Sequence, residues 1–98
     1  MTLGQTVREA REVKGLSQKD FAELVGLSGA YVSRLEHDRH EHIGRPSEHR
    51  IKAMSDVLGF DFDELCRLAG RIPGDIESYL LDRPKELRRL RRKVRACR

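Results

Sequence analysis

The stretch from Gly15 to Glu36, GLSQKDFAELVGLSGAYVSRLE, limits the fold of this chain more than any other. Two short helical patterns flank Val25-Gly26-Leu27. Ser17 is an N-cap residue type, and Asp20 three positions on brings the pair close to a capping box. Phe21, Ala22, Leu24 and Val25 give an apolar stripe at helical spacing. Gly26 follows where a left-handed C-cap favours a residue without Cβ. Leu27 is an apolar plug in the turn. Ser28 is a second N-cap, and Tyr31, Val32 and Leu35 form the next apolar face.

Two helices joined by so short a glycine-containing turn cross steeply, which is the helix-turn-helix arrangement. The second helix then turns one face to the core and leaves its other face and its N-terminus open to a DNA major groove. An ordinary helical hairpin in an all-α domain is the plainer alternative.

The flanking sequence supplies more helices. Leu3 to Lys14 reads as the first, with Leu3, Val7, Ala10 and Val13 or Lys14 inward and Thr2 as its cap. Ser17 to Val25 and Ser28 to about His37 are the second and third. A polar loop from His37 to Arg45 leads to Pro46-Ser47. Ser47 caps a fourth helix with Ile51, Met54, Val57 and Leu58, ended by Gly59. Asp61 caps a fifth, with Phe62, Leu65, Leu68 and Ala69 inward, and Glu64 completes an Asp-x-x-Glu capping pattern before Gly70 stops it. After the break Arg71-Ile72-Pro73-Gly74, Asp75 begins a short helix with Ile76, Tyr79 and Leu80. After Asp82-Arg83-Pro84, a last helix carries Leu87, Leu90 and Val94 on an otherwise basic surface.

Charge divides the chain. Residues 83–98 hold nine Lys or Arg and one Glu, a balance of +8, whereas residues 1–82 hold eleven Lys or Arg and fifteen Asp or Glu, a balance of −4. Such asymmetry suggests a basic tail directed at a polyanion or an acidic surface. No run of 18 apolar residues exists, and the N-terminus lacks the basic and apolar regions of a signal peptide. Cys66 and Cys97 are far apart and have no CxxC partner, as expected of a reduced, cytoplasmic chain. Few aromatics and no Trp argue against base-stacking modules. Without a nucleophile–base motif, a phosphate loop or a metal triad, no enzyme, cofactor or small-molecule ligand is predicted.

The chain resembles the helix-turn-helix domain of the phage repressor and Cro superfamily, with its XRE-type bacterial regulators. The resemblance rests on Leu3-Gly4-Gln5, Val7-Arg8, Arg11, Gly15-Leu16-Ser17-Gln18, Phe21-Ala22, Gly26-Leu27-Ser28, Tyr31-Val32-Ser33-Arg34-Leu35-Glu36 and Arg45-Pro46-Ser47. It covers about residues 2–70 and implies a compact all-α, five-helix bundle, here followed by one or two extra helices. Residues 1–70 are accordingly expected to be a DNA-binding domain, and residues 71–98 a C-terminal helical extension suited to dimerisation. The loop before Pro46-Ser47 is longer than is usual in the superfamily.

The resemblance also implies site residues. Gln18 is expected to contact the DNA backbone and brace the reading helix, as one amide can donate and accept at once. Arg11 and Glu36 are expected to pair structurally, tying the first helix to the end of the reading helix. Groove-facing positions are Ser28, Gly29, Ala30, Ser33 and Arg34, of which Arg34 can pair with guanine O6 and N7 or grip a phosphate. Gly29 and Ala30 are small, so specificity shifts toward Arg34, Tyr31 and DNA shape. Tyr31 has two open uses, a half-buried ring at the core edge or a hydroxyl on a phosphate. Ser17 is a further DNA-contact candidate; Lys19, His37, Arg39, Arg45 and Arg50 lie near the backbone-contact rim, where solvated charge is the alternative.

His37, His40, His42 and His49 are spaced too loosely for a zinc site, and no metal is predicted. The basic last helix can extend the DNA footprint, pack on a second subunit or lie solvated; its apolar stripe favours the second use. The sequence therefore predicts a homodimeric regulator of double-stranded DNA, more a repressor than an activator. The rival reading is a protein-interaction module of antitoxin or coactivator type, supported by the small Gly29-Ala30 face and the acidic body.

Overall fold

Most helices begin where a short polar side chain stands in for a missing backbone acceptor. In the computed structural model, which describes residues 1–39 and 44–97, seven helices follow one another with no strand among the described residues. Thr2 caps α1 (Leu3–Val13) in a full capping box: its hydroxyl oxygen accepts from Gln5 N, and Gln5 Oε1 accepts from Thr2 N at 3.0 Å. Ser17, Ser28, Ser47 and Asp61 cap α2 (Gln18–Val25), α3 (Gly29–Glu36), α4 (Glu48–Leu58) and α5 (Phe62–Leu68), each accepting the backbone N–H three residues on. Each such cap contributes about 1 kcal/mol.

Two expected helix starts differ. Glu64 does not reach back to Asp61; its carboxylate pairs with Arg67, one turn along the same helix. The sixth helix, α6 (Gly74–Leu81), starts one residue before Asp75, and its N-cap Pro73 makes no side-chain cap hydrogen bond. Its acceptor comes from another helix: Glu48 Oε1, in the first turn of α4, takes the Gly74 N–H at 3.0 Å. The last helix, α7 (Pro84–Ala96), opens on Pro84, where the missing N–H costs nothing.

The core joins α1 to α5. Helices α1 and α2 pack against both α3 and α4, and α5 packs on α4. Val7, Phe21, Val32, Leu35, Ile51, Met54 and Leu65 meet there, all fully buried. A side chain the size of Phe21 gains about 1.5–3 kcal/mol from such burial.

Two residues expected to point inward do not. Leu24 is 60% exposed, because Phe21, Ala22 and Val25 define a narrow arc of α2 and Leu24 falls beside it. Val13 is 87% exposed as the last helical residue of α1, beyond the turn that Arg11 anchors. Phe62 and Leu68 are only half-buried; Cys66, not foreseen as core, is buried.

The last two helices differ in kind. α7 packs on α6, and neither has a buried residue. The principal extents are 46 × 25 × 24 Å, and the Cα radius of gyration is 15.8 Å. A compact chain of this length would have about 13 Å. No described helix is long and apolar enough to cross a membrane.

Candidate nucleic-acid interface

The turn between α2 and α3 sets the geometry. Gly26 is left-handed at φ 71 and ψ 31, where a Cβ would be strained, and Leu27 N donates to Ala22 O at 2.9 Å to close the helix end. The chain then enters α3 with Val32 and Leu35 buried. Helical periodicity leaves Ser28, Gly29, Ala30 and Arg34 exposed, with Ser33 half-buried beside them. A Cβ on Gly29 would meet nothing within 4 Å, so this glycine leaves the start of the outer face low and open. Ser28 Oγ accepts from Tyr31 N at 3.0 Å, and its own O–H can still donate outward.

Two connections fix α3 against the body. Glu36 ends α3, where a carboxylate opposes the helix dipole and needs compensation. Arg11 supplies it from α1: Nε donates to Glu36 Oε2 at 2.8 Å and Nη2 to Oε1 at 2.9 Å. Both side chains are buried. The third guanidinium nitrogen, Nη1, donates to Leu16 O at 2.7 Å, so Arg11 ties α1, the α1–α2 turn and α3 together. The hydrogen bond to Glu36 raises the Arg11 pKa further, so the guanidinium is charged at every relevant pH. Gln18 Nε2 donates to Glu36 Oε1 at 3.1 Å, so one amide N–H is directed at the brace, while its second N–H and its oxygen are left for other partners.

The second connection was not foreseen from the sequence. A Cβ built on Gly4 would lie 2.3 Å from Leu35 O and 2.7 Å from Asp38 Oδ1, so the α1 backbone touches the end of α3 directly. Asp38 has a left-handed φ of 56 and turns its carboxylate back onto α1, accepting from Gly4 N at 3.2 Å and Thr2 Oγ1 at 2.8 Å. A glycine inside an apolar helical pattern was the available signal, since it weakens the helix unless close packing requires it.

Around α3, several cations gather. Ser33, Arg34, His37 and Arg39 line a shallow cleft of about 280 Å³. His37 Nδ1 lies 2.7 Å from the Ser33 carbonyl, so Nδ1 carries a proton and Nε2 is the ring position left for an outside partner. Arg39 N donates to Arg34 O at 2.9 Å, which keeps both arginines at the end of α3. Lys19 and Ser17 are exposed at the start of α2.

Three residues have roles narrower or different from those the sequence implies. The Tyr31 hydroxyl is buried and has no hydrogen-bond partner among the described residues, and its half-buried ring lies at the edge of the core. Arg50 lies over that ring at 4.7 Å and reaches the same side of the domain from α4. Arg45 is exposed, but Nη1 donates to Gly70 O at 3.0 Å, and Arg71 Nε donates to Pro46 O across the same joint. These bonds fasten the segment before α4 to the end of α5, an arrangement without a sequence signature. His40 and His42 lie outside the described residues. Among the described residues no group of three His, Cys, Asp or Glu could hold a metal.

Residues 7–65 match the model of a helix-turn-helix family. An uncharacterized HTH-type transcriptional regulator, RghRB of Bacillus subtilis, is 32% identical over 69 residues, 70% of this chain and 48% of that one. The immunity repressor protein of Bacillus phage phi105 is 34% identical over 59 residues, 60% of this chain and 38% of that one. A 31% identical match over 64 residues involves 65% of this chain and 6% of a glutamine–fructose-6-phosphate aminotransferase of Methanocaldococcus jannaschii. The chain thus spans less than half the length of each of these relatives. A chain of the solved SinR protein/SinI protein complex shares the fold, with a TM-score of 0.59 and 23% identity, over 99% of this chain and 100% of that one.

Proposed function

This chain belongs to the helix-turn-helix family, a family of DNA-binding transcriptional regulators, and on that premise we propose that it is a sequence-specific, homodimeric repressor. Residues 1–70 form its DNA-binding unit and residues 71–98 its dimerisation segment. The exposed face of α3, with Ser28, Gly29, Ala30, Ser33 and Arg34, enters the major groove. Arg34 reads a guanine edge; Lys19, His37, Arg39 and Arg50 hold phosphates on either side. A two-fold dimer presents two such helices to half-sites about 34 Å apart. Repression follows from occupying a site that transcription machinery needs, in keeping with the name of the phage relative. Such a DNA partner places the chain in the cytoplasm.

The observation that carries this reading is the double brace of α3. Arg11, Gln18, Gly4 and Asp38 all hold the core-facing side or the end of that helix, and none covers its outer face. A helix fixed so firmly and left bare on one side is pre-organised for an outside surface.

Selection of bound duplexes from a random library, followed by anisotropy titration at two salt concentrations, tests the reading. It predicts one enriched motif, a steep loss of affinity with salt at about 0.9 log units per phosphate contacted, and a loss of preference in Arg34→Ala. Absence of a motif, together with an unaltered Arg34→Ala, overturns it and favours a protein partner for the same face.

A further inference from the structure

The C-terminal hairpin exposes Ile72, Ile76, Tyr79, Leu87, Leu90 and Val94. Helices this short are marginal without an apolar face buried against something, and here the two pack on each other with no residue buried. The Arg83 guanidinium lies 3.9 Å from the Tyr79 ring centre and Nη1 donates to Tyr79 O at 3.3 Å, which closes the turn and holds both apolar stripes in one hairpin.

The edges of those stripes carry opposite charge. Asp75 and Tyr79 stand at i and i+4 in α6, and Asp82 follows at i+7 as its C-cap, so carboxylates border the apolar face of Ile76 and Tyr79. Residues 74–82 contain no Lys or Arg. In α7, Arg91 stands four residues after Leu87 and Lys93 three after Leu90, so cations border that stripe. Pairing α6 with a second α6 brings carboxylates together, and pairing α7 with a second α7 brings cations together. Crossing them joins unlike edges over apolar centres.

Resting on the homodimer reading above, we propose that a second copy of this chain covers the hairpin in a crossed arrangement. The α7 of each copy lies over the α6 of the other, with Arg91 and Lys93 against Asp75 and Asp82. Two-fold symmetry makes the contact twice, so each surface meets its complement and the assembly closes at two copies.

Charge reversal in the full chain tests the arrangement, read by sedimentation equilibrium over a range of concentrations. One variant carries Asp75→Lys with Asp82→Lys; the other carries Arg91→Glu with Lys93→Glu. Each alone is expected to dimerise about tenfold more weakly or worse, since four exposed charge pairs reverse per dimer. An equimolar mixture of the two, or one chain carrying all four changes, is expected to recover near-native association. All positions are exposed, so thermal melts should report an intact head throughout. If the Asp variant dimerises like the native chain, or the Arg–Lys variant does, the crossed arrangement is wrong while the homodimer stands. A native chain that stays monomeric at every concentration overturns both.

Discussion

In α1 to α5 every helix contributes to one core, and the charged side chains that enter it are paired, Arg11 with Glu36 above all. In α6 and α7 nothing is buried, and the apolar side chains lie outside. The head has closed its own surface except for one polar helix face; the tail has left an apolar face open. The two halves are therefore complementary in what they lack. On the proposed function, the open face of the head meets a polyanion and that of the tail another protein surface.

The contrast breaks first at Glu36. Glu36→Ala leaves Arg11 charged and buried without its partner and should cost about 3–5 kcal/mol in chemical denaturation. Replacing both Arg11 and Glu36 by Met should cost markedly less, since no orphaned charge remains. Gly4→Ala comes next. Its Cβ would overlap Leu35 O, so α1 and α3 must separate, at about 1–3 kcal/mol for overpacking. The same variant should weaken DNA binding, because the end of α3 shifts. A Gly4→Ala protein with native stability and native DNA affinity would remove the second brace from the account.

On the outer face, Arg34→Ala should lower the affinity for a selected duplex by about 1–3 kcal/mol while leaving the melting curve in place. The tail marks the opposite extreme. Leu90→Ser should change the unfolding free energy of a monomeric sample by less than about 0.5 kcal/mol, as expected for surface positions. A large destabilisation there would mean that the tail is part of the core after all. The smallest effect concerns thiols. Burial pushes the Cys66 thiol pKa up, so in the folded chain it ionises at higher pH than an exposed thiol does. At mildly alkaline pH an alkylating reagent should label Cys97 quickly and Cys66 only after unfolding. Because the unfolded chain alone ionises Cys66 in that range, stability is fully present below the ordinary thiol pKa and declines as pH rises beyond it.

Sequence reasoning reached the helix order, the caps at Thr2, Ser17, Ser28, Ser47 and Asp61, and the apolar positions of α3, because these follow from local rules of spacing and capping. It missed what arises only when helices meet. Glu48 as the cap of α6, Asp38 against Gly4, Arg45 and Arg71 between the segment before α4 and the end of α5, and Arg50 over Tyr31 join residues 19 or more positions apart, with no local pattern to mark them. Leu24 was misread for a simpler reason. A stripe counted by spacing is wider than the arc a neighbouring helix can cover. The Tyr31 hydroxyl and the position of Gln18 likewise depended on which way a side chain turned once Glu36 and α4 were in place.

The central claim is that the outer face of α3 lies in a major groove. Dimethyl sulfate protection on a selected duplex tests it most directly, since guanine N7 lies in that groove. The account predicts protected guanines in two clusters about one helical turn apart, lost in Arg34→Ala under conditions where binding to the backbone persists. A duplex fully bound by the native chain with every guanine N7 still reactive would contradict it.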